Sequence, residues 1–321
     1  MGKILIWQID RACNLRCKGC NAYEGHDFFN ANEKMYDWLH ELKRNKIKYV
    51  SITGGEPTLH PDISNILRWL KNYGFKTHIA TNGTTPKIMN ELIPYLDAVT
   101  VSLDSHVPEL HNEYRGGKIF DTVIKNIKNL RGKVPILTAN ALITPFNYNN
   151  IDELAHFSNN ELGVPLSICY PDNDSYVFKS NGVTNSEIFT AYNILVHDYN
   201  KHKYGNILQH YKEARTYTIN KHKNELSDFI TNNDSKSICK AGKDIYFANL
   251  NTDVYPCFYK TDELLNKNKY AKWRKYDASK CNQCFMQCFR EPSSTNIVQK
   301  SKLIYGIYSY TRKKQITLNA L

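Results

Sequence analysis

The sequence predicts an α/β fold: a partial barrel of six βα units followed by a small cysteine-rich extension. Six short apolar runs alternate with amphipathic stretches between residues 3 and 171. Polar or glycine-containing motifs follow the first four runs, and five of the nine cysteines lie after residue 238. Alternating strands and helices favour parallel strands joined by right-handed crossovers. Six units are too few to close an eight-unit barrel, so an open barrel is predicted.

The strands are predicted from short apolar runs, and the helices from the amphipathic stretches between them. The runs are KILIWQI (3–9), YVSITGG (49–55), KTHIATNG (76–83), AVTVSLD (98–104), ILTANALIT (136–144) and PLSICYP (165–171). The helices are predicted at 32–46, 62–73, 86–95, 119–131 and 151–161. In the second helix the apolar face consists of Ile63, Ile66, Leu67 and Leu70, and Gly74 ends the helix.

The chain is predicted to divide into four parts. Residues 1–171 form the barrel core, and residues 172–235 form a helical and linking region. Residues 236–292 form a compact cysteine-bearing unit, in which DIYFANL and DVYPCFY flank a turn and predict a hairpin. Residues 293–321 form a C-terminal tail.

Composition and the N-terminus predict a cytoplasmic protein. Hydrophobic residues make up 41% of the chain, and no apolar run approaches bilayer-spanning length. The start, MGKILIWQID, has no long apolar segment and no small-residue cleavage site. In a reducing compartment, clustered thiols are more often metal ligands than disulfides. The net charge of +11 favours a solvated basic surface over a dedicated nucleic-acid face, and it is also compatible with an acidic substrate or partner.

The stretch ACNLRCKGCNAY places three cysteines, Cys13, Cys17 and Cys20, directly after the first predicted strand. On a helix they would form a buried stripe, but the polar residues between them favour a loop. A zinc site with His26 as fourth ligand would match no common zinc spacing. A four-iron, four-sulfur cluster needs thiolates, and three of them would leave one iron open to a small molecule.

Together with three later motifs, this C-x3-C-x2-C spacing resembles the radical S-adenosylmethionine (radical SAM) enzymes, whose core is a partial TIM-like barrel. The later motifs are GGEPTLHPDI (54–63), TNGT (81–84) and VSLDSHVPELHNEYRG (101–116), and the resemblance extends over residues 3–171. The family usually has an aromatic residue just before the third cysteine. This chain has Gly19 there, and Tyr23 could take the aromatic role.

The resemblance implies a set of cofactor-binding residues. The amino and carboxylate groups of S-adenosylmethionine would chelate the open iron. Ser102 and Asp104 match the family position that contacts ribose or carboxylate, and Asn82 and Arg115 would lie near the same pocket. The methionine amino group would be lined by Gly54, Gly55, Glu56 and Pro57.

The resemblance also implies the chemistry. Reductive cleavage of S-adenosylmethionine would give a 5′-deoxyadenosyl radical, which would abstract hydrogen from a peptide or small-metabolite substrate. The electron would come from a donor such as ferredoxin or flavodoxin. Two alternatives stay open: radical modification of a lipid or tRNA base, favoured by the basic charge alone, and a non-catalytic zinc-binding interaction protein. No appended RNA-binding module is evident in the sequence.

A second set of cysteines lies near the C-terminus, and a structural zinc built on four of them is one interpretation. CKAGKDIYFANLNTDVYPC resembles the opening of the SPASM and twitch extensions of radical SAM enzymes, with Thr252 at a position that is usually glycine. Five cysteines are too few for the two clusters of a full SPASM unit, so one auxiliary four-iron, four-sulfur cluster of the twitch type is implied. Cys169 stands alone and is interpreted as a small buried side chain. The implied auxiliary ligands are Cys239, Cys257, Cys281 and Cys284; Cys288 would replace one of them, or protect or bind the substrate.

Overall fold

The computed structural model of the protein describes residues 2–18, 20, 22–144, 147–169, 239–278 and 281. The predicted linking region at 172–235 and the tail at 293–321 therefore lie outside the described residues. Gly19, Cys284 and Cys288 lie outside them as well.

The described strands form a single eight-stranded sheet with the order β6-β5-β4-β3-β2-β1-β7-β8. The first six strands pair in parallel with their neighbours, which confirms the predicted partial barrel of βα units. Each of these strands begins within two residues of the start of a predicted apolar run. Their bounds are β1 Lys3–Gln8, β2 Ile47–Thr53, β3 Lys76–Thr81, β4 Ala98–Ser102, β5 Ile136–Leu142 and β6 Leu166–Cys169.

Helices connect the parallel strands, and all five predicted helices are present. One further helix, α4, was not predicted, and it lies directly after β4. Short 3-10 turns occur at Ala22–Glu24, Pro57–Leu59, Ile93–Tyr95 and Tyr148–Asn150, and α6 continues into a π-helical turn at Phe157–Glu161. The helices are α1 Ala31–Arg44, α2 Ile63–Asn72, α3 Pro86–Leu92, α4 Pro108–Arg115, α5 Phe120–Leu130 and α6 Ile151–His156.

The hydrophobic core lies between the helices and one face of the sheet. Strand residues alternate between faces, so alternate residues of β2 and β4 are buried in this core, whereas β1 buries side chains on both of its faces. The predicted apolar face of α2 is buried in this core. Gly74, with a φ of +78°, ends α2 as predicted, because this left-handed conformation suits glycine.

The opposite face of the sheet carries a hydrogen-bonded row of polar side chains. Ser51 Oγ lies 2.7 Å from His78 Nδ1, and His78 Nε2 lies 2.9 Å from Thr100 Oγ1. Thr100 Oγ1 lies 3.0 Å from Thr138 Oγ1, so the row crosses β2, β3, β4 and β5. Burial lowers the pKa of His78 to about 4, and the ring is therefore neutral at physiological pH. The inner surface of the open barrel is polar and carries no charge along this row.

The predicted hairpin is present as β7 (Ile245–Ala248) and β8 (Val254–Tyr255), which pair antiparallel. β7 also pairs in parallel with β1, so the hairpin continues the sheet of the barrel. The sequence did not predict this attachment. A second connection joins the same region to α1, where Glu41 Oε1 accepts hydrogen bonds from Trp273 Nε1 at 2.7 Å and from Asn266 Nδ2 at 2.9 Å.

None of the helices in the described ranges combines the length and the apolar character needed to cross a membrane.

Candidate functional site

The site lies at the carboxyl edge of the parallel sheet, where the loops after four neighbouring strands meet. The three-cysteine loop follows β1, the Gly54–Pro57 turn follows β2, and Asn82 follows β3. Ser102 is the last residue of β4, and Asp104 lies two positions beyond it. Because parallel strands place their carboxyl ends on one edge, these residues come together as the sequence predicted.

The described residues of the thiol loop, 11–18 and 20, form no helix, as predicted. Burial raises the pKa of Cys13, and Glu56 and Cys20 raise it further. Burial also raises the pKa of Cys17, where the nearby Arg115 opposes the effect and Cys20 and Cys13 add to it. The three thiols are therefore close enough to act on one another electrostatically.

Backbone N–H groups approach two of these sulfur atoms. The Leu15 N–H lies 3.5 Å from Cys13 Sγ, and the Ala22 N–H lies 3.5 Å from Cys20 Sγ. Such donors stabilise a negatively charged sulfur. Among the described residues, no three His, Cys, Asp or Glu side chains are arranged around a single metal ion.

The Gly54–Gly55 pair locks the end of β2 against the chain that leads to Cys13. The Gly55 N–H donates to Asp10 Oδ1 at 2.7 Å, and the Glu56 N–H donates to the Ala12 carbonyl at 2.7 Å. A Cβ atom on Gly54 would overlap the Asp10 carboxylate, and one on Gly55 would overlap the Ala12 carbonyl. Glycine is needed at both positions because the two backbones are in direct contact.

Glu56 is 1% exposed, and its carboxylate connects the ends of β2 and β3. Oε1 accepts hydrogen bonds from the Thr58 N–H, the Thr58 hydroxyl and, at 2.8 Å, the Thr81 hydroxyl. Oε2 accepts from the Asn82 N–H at 2.6 Å. Burial raises the pKa of Glu56, and these donors oppose that effect. Pro57, also buried, begins the 3-10 turn that presents Thr58 to Glu56.

Asn82 connects this arrangement to the thiol loop. Its Nδ2 donates to Asn14 Oδ1 at 2.9 Å, and a side-chain hydrogen bond from Asn82 lowers the pKa of Cys13, opposing the effect of burial. Asn14 in turn donates to Thr84 Oγ1 at 2.8 Å. The TNGT motif therefore holds the loop on which Cys13 lies.

Asp104 is 2% exposed, and both of its carboxylate oxygens are engaged within the chain. Oδ1 accepts from the Leu142 N–H at 3.0 Å, and Oδ2 accepts from Arg115 Nε at 2.5 Å. The other side of the Arg115 guanidinium reaches the thiol loop, with Nη1 at 3.9 Å from Cys17 Sγ. Ser102 is half-buried at the end of β4, on the same face as the polar row.

Sequence reasoning did not identify Asp10, which lies between β1 and the thiol loop. Its side chain is fully buried, and Oδ2 has no hydrogen-bond partner in the part of the chain that the structure describes. Burial raises the pKa of Asp10 to about 7, the Gly55 N–H opposes this effect, and Glu56 adds to it. The sequence signal that could have identified Asp10 is its position, as a charged residue directly after the apolar run of β1.

The structure brings three of the C-terminal cysteines together. Burial raises the pKa of Cys257 to about 12, and the neighbouring Cys239 and Cys281 contribute to the rise. Cys257 packs in an apolar cluster that includes Ile6 of β1 and Phe247 of β7. Cys169 is half-buried at the end of β6, and its thiol lies 3.4 Å from Asn140 Oδ1.

An open cavity of about 650 Å³ lies between the end of β1 and the hairpin. One side is lined by Arg11, Asp27 and Phe28, which belong to the segment that carries the first three thiols. The other side is lined by residues of the hairpin, including Phe247, which also packs in the apolar cluster around Cys257. The cavity therefore lies between the segment that follows β1 and the hairpin.

The chemistry of the thiol loop fits a four-iron, four-sulfur cluster. Such clusters use thiolate ligands with N–H donors and positive charge near their sulfur atoms. Here the three thiols act on one another electrostatically, N–H groups approach Cys13 and Cys20, and the Arg115 guanidinium approaches Cys17. Three protein ligands would leave one iron for a small molecule, and the turn that carries Glu56 is hydrogen-bonded to the chain leading into the thiol loop.

Residues 7–158 match the family model described as the Radical SAM superfamily. The chain is 30% identical over 158 residues to the mycofactocin maturase MftC of Mycobacterium tuberculosis (strain CDC 1551 / Oshkosh), covering 47% of this chain and 40% of that protein. It is 32% identical over 179 residues to the tungsten-containing aldehyde ferredoxin oxidoreductase cofactor-modifying protein of Pyrococcus furiosus, covering 50% of this chain and 49% of that protein. The chain thus spans about half or less of the length of these curated relatives.

Two solved structures share the fold along nearly the whole chain. Streptococcus suis SuiB bound to the precursor peptide SuiA matches with a TM-score of 0.58 and 22% identity, covering 96% of this chain and 71% of that chain. The enzyme anSMEcpe with bound AdoMet matches with a TM-score of 0.60 and 15% identity, covering 98% of both chains. At these identities the likeness shows the fold.

Proposed function

We propose, from the premise that residues 7–158 place this chain in the radical SAM superfamily, that the protein is an enzyme that uses radical chemistry on a peptide or small-metabolite substrate. The observation that carries the proposal is the meeting of the Cys13, Cys17 and Cys20 loop with the Gly54–Pro57 turn at one sheet edge.

When bound, the cluster and S-adenosylmethionine supply a one-electron reductive cleavage that yields methionine and a 5′-deoxyadenosyl radical, which takes a hydrogen atom from the substrate. Cys13, Cys17 and Cys20 would hold the cluster. The backbone of Gly54, Gly55, Glu56 and Pro57 would bind the methionine amino group, and Ser102 would face the ribose.

Three predicted cofactor-binding residues are proposed to act mainly by holding others in place. Glu56 accepts a hydrogen bond from the Asn82 N–H, and the Asn82 side chain donates to Asn14 on the thiol loop. Asp104 fixes Arg115, whose remaining N–H groups are proposed to bind the methionine carboxylate. The binding site would therefore be rigid before S-adenosylmethionine arrives, which lowers the entropic cost of binding.

A peptide is the substrate that we favour. MftC is named a maturase, and SuiB was solved with a precursor peptide, so two proteins similar to this chain have names that refer to peptides or their maturation. The cavity between β1 and the hairpin is open at the carboxyl edge and large enough for several side chains. We propose that the substrate lies there.

We propose that the C-terminal cysteines hold one auxiliary four-iron, four-sulfur cluster, with Cys239, Cys257 and Cys281 as ligands and Cys284 or Cys288 as the fourth. Support comes from Cys257, on whose pKa both Cys239 and Cys281 act electrostatically. We also propose that the chain divides at residues 171, 235 and 292 and that the protein is cytoplasmic. A ferredoxin or flavodoxin is proposed as the electron donor.

The test is anaerobic purification with iron and sulfide analysis, followed by incubation with dithionite and S-adenosylmethionine. We expect about two clusters per chain and release of 5′-deoxyadenosine. A variant with alanine at Cys13, Cys17 and Cys20 should retain about half of the iron and release no 5′-deoxyadenosine. Unchanged iron in that variant, or zinc in place of iron in the wild type, would contradict the proposal.

A further inference from the structure

The C-terminal turn of α4 is docked directly on the thiol loop. The Lys18 N–H donates to the Tyr114 carbonyl at 2.8 Å, and Lys18 Nζ pairs with Glu113 at 2.5 Å. Gly116, with a φ of +69°, caps the helix, and a Cβ atom there would overlap the Arg16 carbonyl. The helix end and the loop are therefore held at a fixed distance.

Arg115 is the residue of this turn that reaches a thiol. Its Nε donates to Asp104 Oδ2 at 2.5 Å, and its Nη1 lies 3.9 Å from Cys17 Sγ. The Arg115 side chain is 15% exposed and that of Asp104 is 3% exposed, so water screens the contact weakly. Asp104 is itself fixed, because its other oxygen accepts the Leu142 N–H.

Other groups around Cys17 disfavour negative charge there. The Asp104 carboxylate binds the same guanidinium, and Cys13 and Cys20 on the same loop would be negatively charged thiolates as cluster ligands. The C-terminal end of the helix adds partial negative charge from the helix dipole. Arg115 supplies positive charge within hydrogen-bond distance of Cys17 Sγ.

We propose, on the basis of the proposed function, that Arg115 is a positioning residue that acts through Cys17 and raises the reduction potential of the cluster. Reduction adds one negative charge to the cluster and its thiolates. A guanidinium that donates to a ligand sulfur stabilises this more negative state more than the oxidised state. Asp104 holds the guanidinium at the sulfur.

The test is an EPR-monitored redox titration of the anaerobic holoprotein without S-adenosylmethionine, using dithionite as reductant. The EPR signal that disappears in the variant with alanine at Cys13, Cys17 and Cys20 is assigned to the loop cluster. In Arg115→Gln, we expect the ratio of reduced to oxidised cluster at a fixed applied potential to fall at least tenfold, which equals 59 mV for one electron.

Lys18→Gln is the matched control, because it removes one positive charge from the same loop at a site whose ammonium pairs with Glu113. We expect a change of less than threefold in that variant, since the pair is solvent-exposed. Arg115→Gln alone would leave the buried Asp104 unpaired, which can unfold the chain. The double variant Asp104→Asn with Arg115→Gln avoids this charge and should show a fall in the same direction but of less than tenfold, because it also removes the Asp104 carboxylate, whose negative charge disfavours reduction.

Equal titrations for the wild type and the double variant would overturn the inference and leave the proposed function standing. Equal shifts in Arg115→Gln and Lys18→Gln would also overturn it, because charge alone would then explain the effect. A wild-type protein without any EPR signal that depends on the three cysteines would instead contradict the proposed function.

Discussion

Two buried carboxyl groups, Asp10 and Glu56, lie on either side of the Gly54–Gly55 pair. Glu56 accepts four hydrogen bonds from the ends of β2 and β3. Asp10 accepts one, from the Gly55 N–H, and its second oxygen is buried without a partner among the described residues. A buried carboxylate with few donors is poorly stabilised as an anion, so Asp10 is the group expected to carry a proton near neutral pH.

We expect Asp10→Asn to become more stable relative to the wild type as the pH rises from 5 to 8. The pKa of Asp10 is raised from 3.8 to about 7 in the folded protein, so the folded state holds the proton more tightly than the unfolded chain. Stability from this group is complete below about pH 4 and is lost as the pH rises through 7, by up to about 4 kcal/mol. Urea unfolding at several pH values measures the difference.

Asp97→Asn is the control for this experiment. Burial raises the pKa of Asp97, but hydrogen bonds from Lys71, Lys76 and the Thr77 N–H outweigh burial, so the pKa is lowered. Its contribution is therefore present above about pH 4 and disappears only as the pH falls further. The difference between wild type and Asp97→Asn should be flat from pH 5 to 8. A flat difference for Asp10→Asn as well would show that Asp10 titrates normally.

Residues such as Asp10 mark the limit of sequence reasoning at this scale. The cysteine trio and the Gly54–Pro57 motif were identified because their spacing is local and specific. The role of Asp10 depends on Gly55, which lies in the turn after β2, and on the lack of a second donor among the described residues. Neither fact is encoded in a short pattern, since both arise from packing between distant segments.

At the scale of elements, the helices were predicted where they bury aliphatic side chains. α2 buries Ile63, Ile66, Leu67 and Leu70, and this stripe is visible in the sequence. α4 buries His111 and Tyr114, which form no aliphatic stripe, and it was not predicted. The helix forms nonetheless, with Pro108 in its first turn and Gly116 in the left-handed conformation after its end.

The turn between β7 and β8 contains a residue in an unfavourable conformation. The resemblance to twitch extensions assigned a glycine position to residue 252, and Thr252 has a φ of +64°. A β-branched residue in this region is rare, because its Cβ crowds the backbone. The Thr252 hydroxyl accepts a hydrogen bond from Lys269 Nζ at 3.1 Å, and the Asn266 side chain holds the Thr252 carbonyl at 2.7 Å.

We expect Thr252→Gly to be more stable than Thr252→Ala by about 1 kcal/mol, because alanine keeps a Cβ in the left-handed region. Both variants lose the same hydroxyl and methyl groups, so their difference isolates the backbone conformation. At a position with negative φ, alanine would be the more stable by about 0.5–1 kcal/mol. Thermal or urea unfolding distinguishes the signs, and a more stable alanine variant would contradict the left-handed turn.

At the scale of the whole molecule, the predicted boundary near residue 171 does not interrupt the sheet. β7 forms a parallel ladder with β1, from the pair Ile4 and Ile245 to the pair Trp7 and Ala248. Trp273 then fastens the following segment to α1 through Glu41 and Asn45. This pairing joins strands far apart in the chain, so the local patterns that revealed the hairpin could not reveal its partner.

We expect the fragment 1–171 to self-associate where the full chain does not. Removal of β7 would leave the hydrogen-bonding edge of β1 open and uncover Ile4 and Ile6, and such edges pair with other chains. Light scattering at matched concentrations measures the association. The same fragment with Ile4→Lys and Ile6→Lys is the control and should associate less, because lysine opposes edge pairing. A monomeric unmodified fragment would contradict the expectation.

The β1–β7 ladder also constrains the distance between the two sets of thiols. The first thiol set follows β1, and Cys257 follows the hairpin that is hydrogen-bonded to β1. In the described part of the chain, the strands that lead to these thiols are hydrogen-bonded to each other, so a large change in the separation of Cys13 and Cys257 would break hydrogen bonds of the sheet. Electron tunnelling between the two proposed metal centres would therefore cross a gap set by the sheet, and turnover would depend on how the substrate occupies that gap.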